Sequence, residues 1–507
     1  MQWDICIRFF LVCSKVDTGG ENMQTFLTKV SQKKIKMIHL LLETDRWCSI
    51  EELQNELKVS SKSILNYLTD LEELFQQYPD KVILKNENNR RFSMEKQENF
   101  PIYTIYLHFY RKSYNYHLIE FMYQHPEKNL EDYADAQYTS VSTVFRYAKL
   151  LVKYFERYRI TFHPFKLELE AKEQYIRSFY YYFYWHSTRT GGWPFKFSKE
   201  KIENYLLKFE RIYHIQLDPL QKRVFSYWLA VILERSSFAS IIVDKTDQQV
   251  IKKDPFFLLI GQWLEAIEIP LSEDEQYFLY QVIYSFGVID GNPTYENSYA
   301  KSHEISDSLC YRTLVALENA VKKEFDFRLD TDDQELVFNF VAFHERSRFF
   351  FGNTDLFFNR YYAKEIKAEN PRIYKRIKQL QKTVRKYAEK EVLQVIDNWE
   401  QLFLNYYYIL VYYDLLLSAM VPIKILIQDD LHHTHRLWLM NKIHRLFGHS
   451  YLLAFYDYQT AITEVDLVIS NYYLDTQDIP LLLMKNLPTE RNWRQLEELL
   501  YRIAQEK

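Results

Sequence analysis

Apolar residues recur three and four positions apart through most of this chain, and in its first third they do so twice in one arrangement. Lys34 to Glu43 puts Ile35, Ile38, Leu41 and Leu42 on one side; Ile50, Leu53 and Leu57 make a shorter stripe. Ile64, Leu68, Leu71 and Phe75 make a longer one. This spacing predicts amphipathic helices. Ser49 and Ser60 stand where N-caps belong, and Lys58-Val59 make the turn between the helices. An offset of 80 residues pairs Ser60 with Ser140, Ile64 with Val144, Tyr67 with Tyr147 and Leu71 with Leu151. In the second copy Asn129 caps a helix from Leu130 to Gln137. Ser140 then opens a longer one with Val144, Phe145, Ala148, Leu151, Val152 and Phe155 inward. Short helix, tight turn, long capped helix is the helix-turn-helix pattern, whose second helix enters the DNA major groove.

After each long helix the pattern changes to short β-rich runs. Val82-Ile83-Leu84 and Arg91-Phe92-Ser93-Met94 flank the polar segment Asn86 to Arg90, a hairpin or wing. Ile160 to His163 with Lys166 to Leu169 predicts a second wing. The outer face of the first long helix carries Ser61, Lys62, Ser63, Asn66 and Tyr67, and its wing carries Arg90 and Arg91. The second helix offers Ser142, Thr143, Arg146, Lys149 and Lys153, followed by Arg157 and Arg159. Short hydroxyl donors, amides and cations are the groups that contact phosphates and base edges. These are the candidate DNA-binding residues. The bland alternative is a pair of solvated helix faces on a protein-docking scaffold.

Residues 173–420 read as helices with short connections. A second repeat, at an offset of 111, matches Glu234-Arg235-Ser236 with Glu345-Arg346-Ser347. The basic run Arg372 to Lys390 has the spacing of a helix with a charged outer face. After Pro422 strands and helices alternate. Residues 423–427, 451–455, 466–470 and 479–483 read as strands, and helices cover about Leu431–Leu446 and Glu490–Ile503. That alternation predicts a small parallel sheet. His432, His433 and His435 cluster at the start of the first of these helices.

Tandem winged helix-turn-helix modules followed by two helical repeats resemble the Mga-type (Mga/AtxA-like) transcriptional regulators of low-GC Gram-positive bacteria. Tyr227 to Arg235 and Phe338 to Arg346 are similar to the central helices of their PTS regulation domains, and Ala171 to Arg177 to the junction before the first. The last segment looks like the IIB component of the sugar phosphotransferase system (PTS). The resemblance implies a mainly α fold in this order. Residues 1–22 form a disordered extension, 23–97 and 98–172 the two winged modules, 173–298 and 299–420 the two regulation domains. Residues 421–507 form an α/β IIB-like domain. It implies a DNA-binding regulator tuned to carbohydrate status through phosphorylated histidines, with duplex DNA and PTS phosphocarrier proteins as partners and no cofactor. His344 is the candidate inside a matched central segment, with Arg346 nearby to hold a phosphate; His214 and His303 are the others. The loop that carries the phosphorylated cysteine in active IIB proteins is here Gln428-Asp429-Asp430. Carboxylates repel phosphate, so this domain is read as a degenerate one used for dimerisation or partner contact.

Composition adjusts this picture. Only 9 glycines and 13 prolines in 507 residues argue for long helices and against a sandwich or barrel. A net charge of −4 means that any DNA-binding surface is a local concentration of cations. The high Tyr and Phe counts follow general composition. Cys6, Cys13, Cys48 and Cys310 form no metal-binding spacing, and reduced thiols in a cytoplasm fit them. No apolar run reaches the roughly 18 residues of a membrane-spanning helix. No P-loop, dinucleotide fingerprint or nucleophile elbow appears, so a non-enzymatic role is expected. Two alternatives remain at this stage. One is a regulator governed by oligomerisation or a ligand in place of phosphorylation. The other is a PTS adaptor that binds proteins only.

Overall fold

The computed structural model describes residues 26–43, 47–188, 191–350, 363, 366–367, 371–397, 399–413, 415, 421–431, 433–448, 450–456 and 460–507. The extension at 1–22, with Cys6 and Cys13, lies outside the described residues, as does His432. The fold is mainly helical. It divides into two compact units. One comprises the described residues of Met1–Leu317, Asp330–Glu369 and Ala388–Phe403, the other those of Glu318–Leu329, Asn370–Tyr387 and Leu404–Lys507.

In the first unit the repeat becomes two three-helix modules. Helices Lys29–Glu43, Ile50–Leu57 and Ser61–Phe75 form the first. Ile38, Leu41, Leu53, Ile64, Leu68 and Leu71 are buried in one cluster, because their 3–4 spacing brings each stripe to a common centre. Leu42 is only partly buried at its edge. A three-stranded antiparallel sheet closes the module: β1 (Cys48–Ser49), β2 (Val82–Glu87) and β3 (Arg91–Lys96), in the order β1-β3-β2. The β2–β3 hairpin pairs Val82 with Lys96 and Glu87 with Arg91. Its turn uses Asn88 and Asn89 at φ 52° and 57°, left-handed conformations that asparagine tolerates.

The second module uses helices Tyr114–Gln124, Leu130–Ala136 and Val141–Glu156. Its hairpin is β4 (Thr161–His163) with β5 (Glu168–Glu170), which pairs Phe162 with Leu169, so its second strand starts two residues later than the pattern predicted. Helices Tyr103–Arg111 and Tyr114–Gln124 were not legible as amphipathic stripes. Residues Asn115, Tyr116, Leu118, Ile119, Met122 and Tyr123 of the latter are buried, and its exposed positions Tyr114, His117 and Gln124 mix an aromatic with polar residues, which blurs the contrast between the two faces.

Helix Glu173–Ser187 follows at once and is buried on nearly every side. Its Phe183 stacks on Tyr116 at 5.0 Å, and its Phe179 packs on Phe155 at 4.7 Å. On the other side Tyr181 stacks on Trp228 of helix Pro219–Arg235 at 4.3 Å. A buried ion network anchors its start: Arg177 donates to Glu275 at 2.5 and 2.7 Å and to Glu173 at 3.0 Å, and Arg235 grips Glu173 at 2.5 and 2.7 Å. Removing one member would leave buried charge uncompensated, at a cost of about 3–5 kcal/mol. The helix is therefore a common core for the second module and the helical middle.

In the second unit helix Pro371–Tyr387 buries Ile377, Leu380 and Val384 and exposes Lys375, Arg376, Lys382, Arg385 and Lys386. The solvated-face reading of the basic run accounts for this. The last residues form a four-stranded, wholly parallel sheet of β6 (Ile423–Gln428), β7 (Leu453–Tyr456), β8 (Leu467–Ser470) and β9 (Leu481–Leu483), in the order β7-β6-β8-β9. Helices His433–Phe447 and Glu490–Glu506 cover it, with Leu439, Ile443, Leu496 and Leu500 against Ile425 and Ile427. Two of its strands, β7 and β9, begin two residues later than the sequence pattern placed them.

Candidate nucleic-acid interface

Both long helices of the repeat start from a serine cap. Ser60 Oγ accepts the Ser63 N–H at 3.2 Å, and Ser140 Oγ accepts the Thr143 N–H at 3.3 Å. The preceding short helices begin alike, with capping boxes at Ser49–Glu52 and Asn129–Asp132. The turns match too: Lys58 and Tyr138, 80 residues apart, both sit at φ 50°. Sequence periodicity, capping and turn geometry thus agree at every joint of the two modules.

Lys62 and Asn66 are exposed on helix Ser61–Phe75, and Arg90 and Arg91 are exposed on the hairpin. Arg91 lies 3.9 Å from Glu87. Ser63 and Tyr67 are half-buried: the Ser63 hydroxyl lies 3.0 Å from Ser60 Oγ, and Tyr67 packs against the core, with Lys34 Nζ 5.9 Å from its ring centre. In the second module Ser142, Arg146, Lys149 and Lys153 are exposed in a row along helix Val141–Glu156. Thr143 is half-buried and its hydroxyl accepts from Ser140 at 2.8 Å. Arg146 lies over Tyr147, which stacks on Tyr114 at 4.7 Å. So Ser63 and Thr143 serve first as parts of a cap, which one-dimensional polarity could not reveal. Two exposed aromatics escaped the pattern reading. Tyr138, in the turn, is 99% exposed; Phe165, in the second hairpin, is 64% exposed and stacks on Phe145 at 4.2 Å. An aromatic residue in a polar turn was the available signal for both.

The three candidate histidines occupy different settings. His214 is exposed, after helix Lys199–Ile212, at φ 51°. His344 is fully buried in helix Gln334–Phe349, with Nδ1 3.2 Å from the Cys310 carbonyl oxygen, and burial lowers its pKa to about 4. His303 is 3% exposed, 2.8 Å from the Ser308 hydroxyl and 3.9 Å from Glu345, and burial lowers its pKa to about 3. Burial raises Glu345 to about 7. Arg346 does not hold a group at His344, because residues two apart on a helix face different ways. It donates to the Tyr182 hydroxyl at 3.2 Å and lies over Phe286 at 4.4 Å. The 111-residue repeat also diverges in use: Glu234 accepts the N–H groups of Lys196 and Phe197 at 2.6 and 3.1 Å, whereas Glu345 accepts the Tyr299 hydroxyl at 2.6 Å.

In the loop after β6, Asp429 is tied to His435 at 2.9 Å, and the other ring nitrogen of His435 lies 2.8 Å from the Asn486 carbonyl oxygen. Burial opposes the His435 charge, but Asp429 outweighs it and raises the pKa. This histidine therefore orders the loop. Among the described residues no group of His, Cys, Asp or Glu is arranged to hold a metal ion, and no helix is long and apolar enough to cross a membrane. Cys48 and Cys310 are buried.

Two capped, matched helix-turn-helix modules, each closed by a hairpin, define a nucleic-acid-binding regulator of the helix-turn-helix class. Comparison with known proteins narrows the class. Residues 28–86 match the helix-turn-helix domain of the M protein trans-acting positive regulator (MGA), and residues 98–184 match the Mga helix-turn-helix domain. The chain is 20% identical over 518 residues to the anthrax toxin expression trans-acting positive regulator of Bacillus anthracis, covering 94% of this chain and 100% of that one. It is 21% identical over 332 residues to the capsule synthesis positive regulator AcpB of the same organism, 63% of this chain and 67% of that one. A putative trans-acting regulator of Streptococcus pneumoniae is 24% identical over 268 residues, 50% of this chain and 52% of that one. In these matches the chain is similar to Mga-type regulators, and its two modules match their helix-turn-helix domains.

Proposed function

We propose that this protein is a cytoplasmic transcription activator that grips duplex DNA with both modules. Lys62, Ser63, Asn66, Tyr67, Arg90 and Arg91 make the contacts of the first, and Ser142, Thr143, Arg146, Lys149 and Lys153 those of the second. The observation that carries the reading is the exposed row Arg146, Lys149 and Lys153 on a capped second helix. Two of the relatives are named as positive regulators, which favours activation over repression. The test is a gel shift on duplex from the gene's own upstream region. Each neutralised phosphate contributes about −0.9 to the slope of log affinity against log salt. Affinity should fall by tenfold or more between roughly 50 and 200 mM salt. Unchanged affinity overturns the reading.

Residues 173–298 and 299–420 act in this proposal as PTS regulation domains. A phosphoryl donor must reach an imidazole nitrogen, and of the three candidates His214 alone is exposed. With labelled phosphoenolpyruvate and purified PTS proteins, His214→Ala should lose label and His344→Ala and His303→Ala should keep it. Absence of labelling in the parent protein would favour control by ligand or oligomeric state. The α/β domain at 421–507 is the proposed dimer contact, and its removal should give monomers by light scattering. A truncated protein that stays dimeric moves the contact to the helical bundles.

A further inference from the structure

A groove of about 630 Å3 lies in the first helical bundle, between helices Lys199–Ile212 and Pro219–Arg235 and beneath the loop at Gly191 and Gly192. That volume lies within the range of small-molecule sites. The chain has only 9 glycines, and two of them stand together at this rim. Their φ angles, 127° and 105°, exclude other residues, and a Cβ on Gly191 would meet no atom within 4 Å. The bare backbone therefore borders open space.

The walls are held rigidly. The Trp193 indole N–H donates to the Phe197 carbonyl at 2.6 Å, and its ring meets Tyr227 edge-on at 5.4 Å. The Tyr227 hydroxyl is fixed by Thr188 at 2.7 Å. Arg223 donates to the Thr188 carbonyl at 3.0 Å with its guanidinium over Trp185 and Tyr227. Glu210 takes the Leu217 N–H at 2.8 Å and positions Lys222 at 3.1 Å. Lys199 and Glu203, 3.5 Å apart, complete the charged rim. Three cations against two carboxylates leave an excess positive charge on an aromatic-walled groove.

We propose that this groove binds a phosphorylated sugar of hexose size. The phosphate answers Lys199, Lys222 and Arg223, through charge-assisted hydrogen bonds. The hydroxyls donate to Glu203 and Glu210, which an apolar carboxylic acid would leave without donors. The flat apolar face of the sugar lies on Trp193. The proposal rests on the reading of the helical middle as the regulatory part, and it supplies a signal that needs no phosphorylated histidine.

The test uses the full chain without DNA, so it is independent of promoter binding. Thermal unfolding and titration calorimetry are run with glucose 6-phosphate, fructose 6-phosphate, glucose and inorganic phosphate. A ligand at about a hundredfold excess over its Kd raises the Tm by several degrees. The expected result is a rise with at least one sugar phosphate and none with glucose or inorganic phosphate. Lys222→Gln and Trp193→Leu should each weaken that binding by about tenfold or more. Leu258→Ser, an exposed change on the helix Leu258–Ala266, should leave it unaltered. No rise with either sugar phosphate, an equal rise with inorganic phosphate, or full binding by both groove variants overturns the proposal.

Discussion

The two helix-turn-helix modules share their caps, turns and core positions and differ in electrostatics. Helix Ser61–Phe75 carries one lysine against Asp70, Glu72 and Glu73, a net charge of −2. Helix Val141–Glu156 carries Arg146, Lys149 and Lys153 against Glu156, a net charge of +2. The fold depends on the apolar stripe and the cap, so both helices form equally well. Contact with a phosphate backbone depends on the outer face, and there the second helix is far better suited. Of the three cations among the first module's candidate contacts, two, Arg90 and Arg91, lie on its hairpin. The comparison teaches that a repeat can keep one architecture while concentrating positive charge on the long helix of one copy.

The largest effect should follow from that difference. Replacing Arg146, Lys149 and Lys153 together by Ala should cost about 3–6 kcal/mol of DNA affinity, and should flatten the salt slope by up to about one for each lost phosphate contact. Lys62→Ala with Asn66→Ala should cost about 1–2 kcal/mol. Fluorescence anisotropy on one duplex at several salt concentrations measures both, with circular dichroism to confirm intact helices. Equal losses from the two helices, or a larger loss from the first, would break the proposed asymmetry.

The modules also differ in what supports them. The first has its own buried cluster, joined by Phe100 and Ile105. The second shares Phe179 and Phe183 of helix Glu173–Ser187 with the helical middle. Acid should expose this difference. His344 and His303 have folded pKa values of about 4 and about 3, below the ordinary 6.5. A depressed folded pKa means that the unfolded chain binds the proton more readily. Stability from these groups is full above 6.5 and lost as pH falls toward 4, by roughly 3 kcal/mol for each histidine. Glu345, raised to about 7, acts with the opposite sign: its contribution is full below 4.5 and fades as pH rises through 7. It therefore offsets part of the acid loss. At pH 4 hydrogen exchange should show helix Val141–Glu156 losing protection together with the middle, while helix Ser61–Phe75 keeps more of its own. His344→Gln should remove much of the acid sensitivity. Simultaneous loss in both modules would show that they are equally coupled to the middle.

The legible parts of this molecule are those with a polar face to contrast with a buried one. The helix of Ile64, Leu68 and Leu71 and its copy were placed to within a residue, because one side of each is wet. Helix Glu173–Ser187 is buried nearly all round, so neither its role nor the shared core it builds could be read from periodicity. The same physics hid the setting of His344. A histidine in an apolar helix gives no sign of its environment, and only the fold places it against the Cys310 carbonyl. Ser63 and Thr143 were polar positions whose hydroxyls the caps already occupy. The exposed cations needed no such context.

The smallest effects should come from the matched turn residues. Lys58 and Tyr138 both hold φ 50°, which costs a residue with a Cβ about 1–2 kcal/mol. Glycine removes that strain but adds about 0.5–1 kcal/mol of unfolded-state entropy, so Lys58→Gly and Tyr138→Gly should each stabilise by under about 1 kcal/mol. Tyr138 has no packing to lose, being 99% exposed. A large aromatic ring kept in a strained turn, next to the capped helix, serves the outside of the protein better than its core. Tyr138→Gly should therefore raise the Tm slightly and weaken DNA binding at every salt concentration, because a phenol ring contacts DNA without releasing counterions. Lys58→Gly should weaken binding mainly at low salt, where counterion release counts most. A gain in stability at both positions with DNA affinity untouched at Tyr138 would remove that residue from the interface and leave the asymmetry of the modules purely electrostatic.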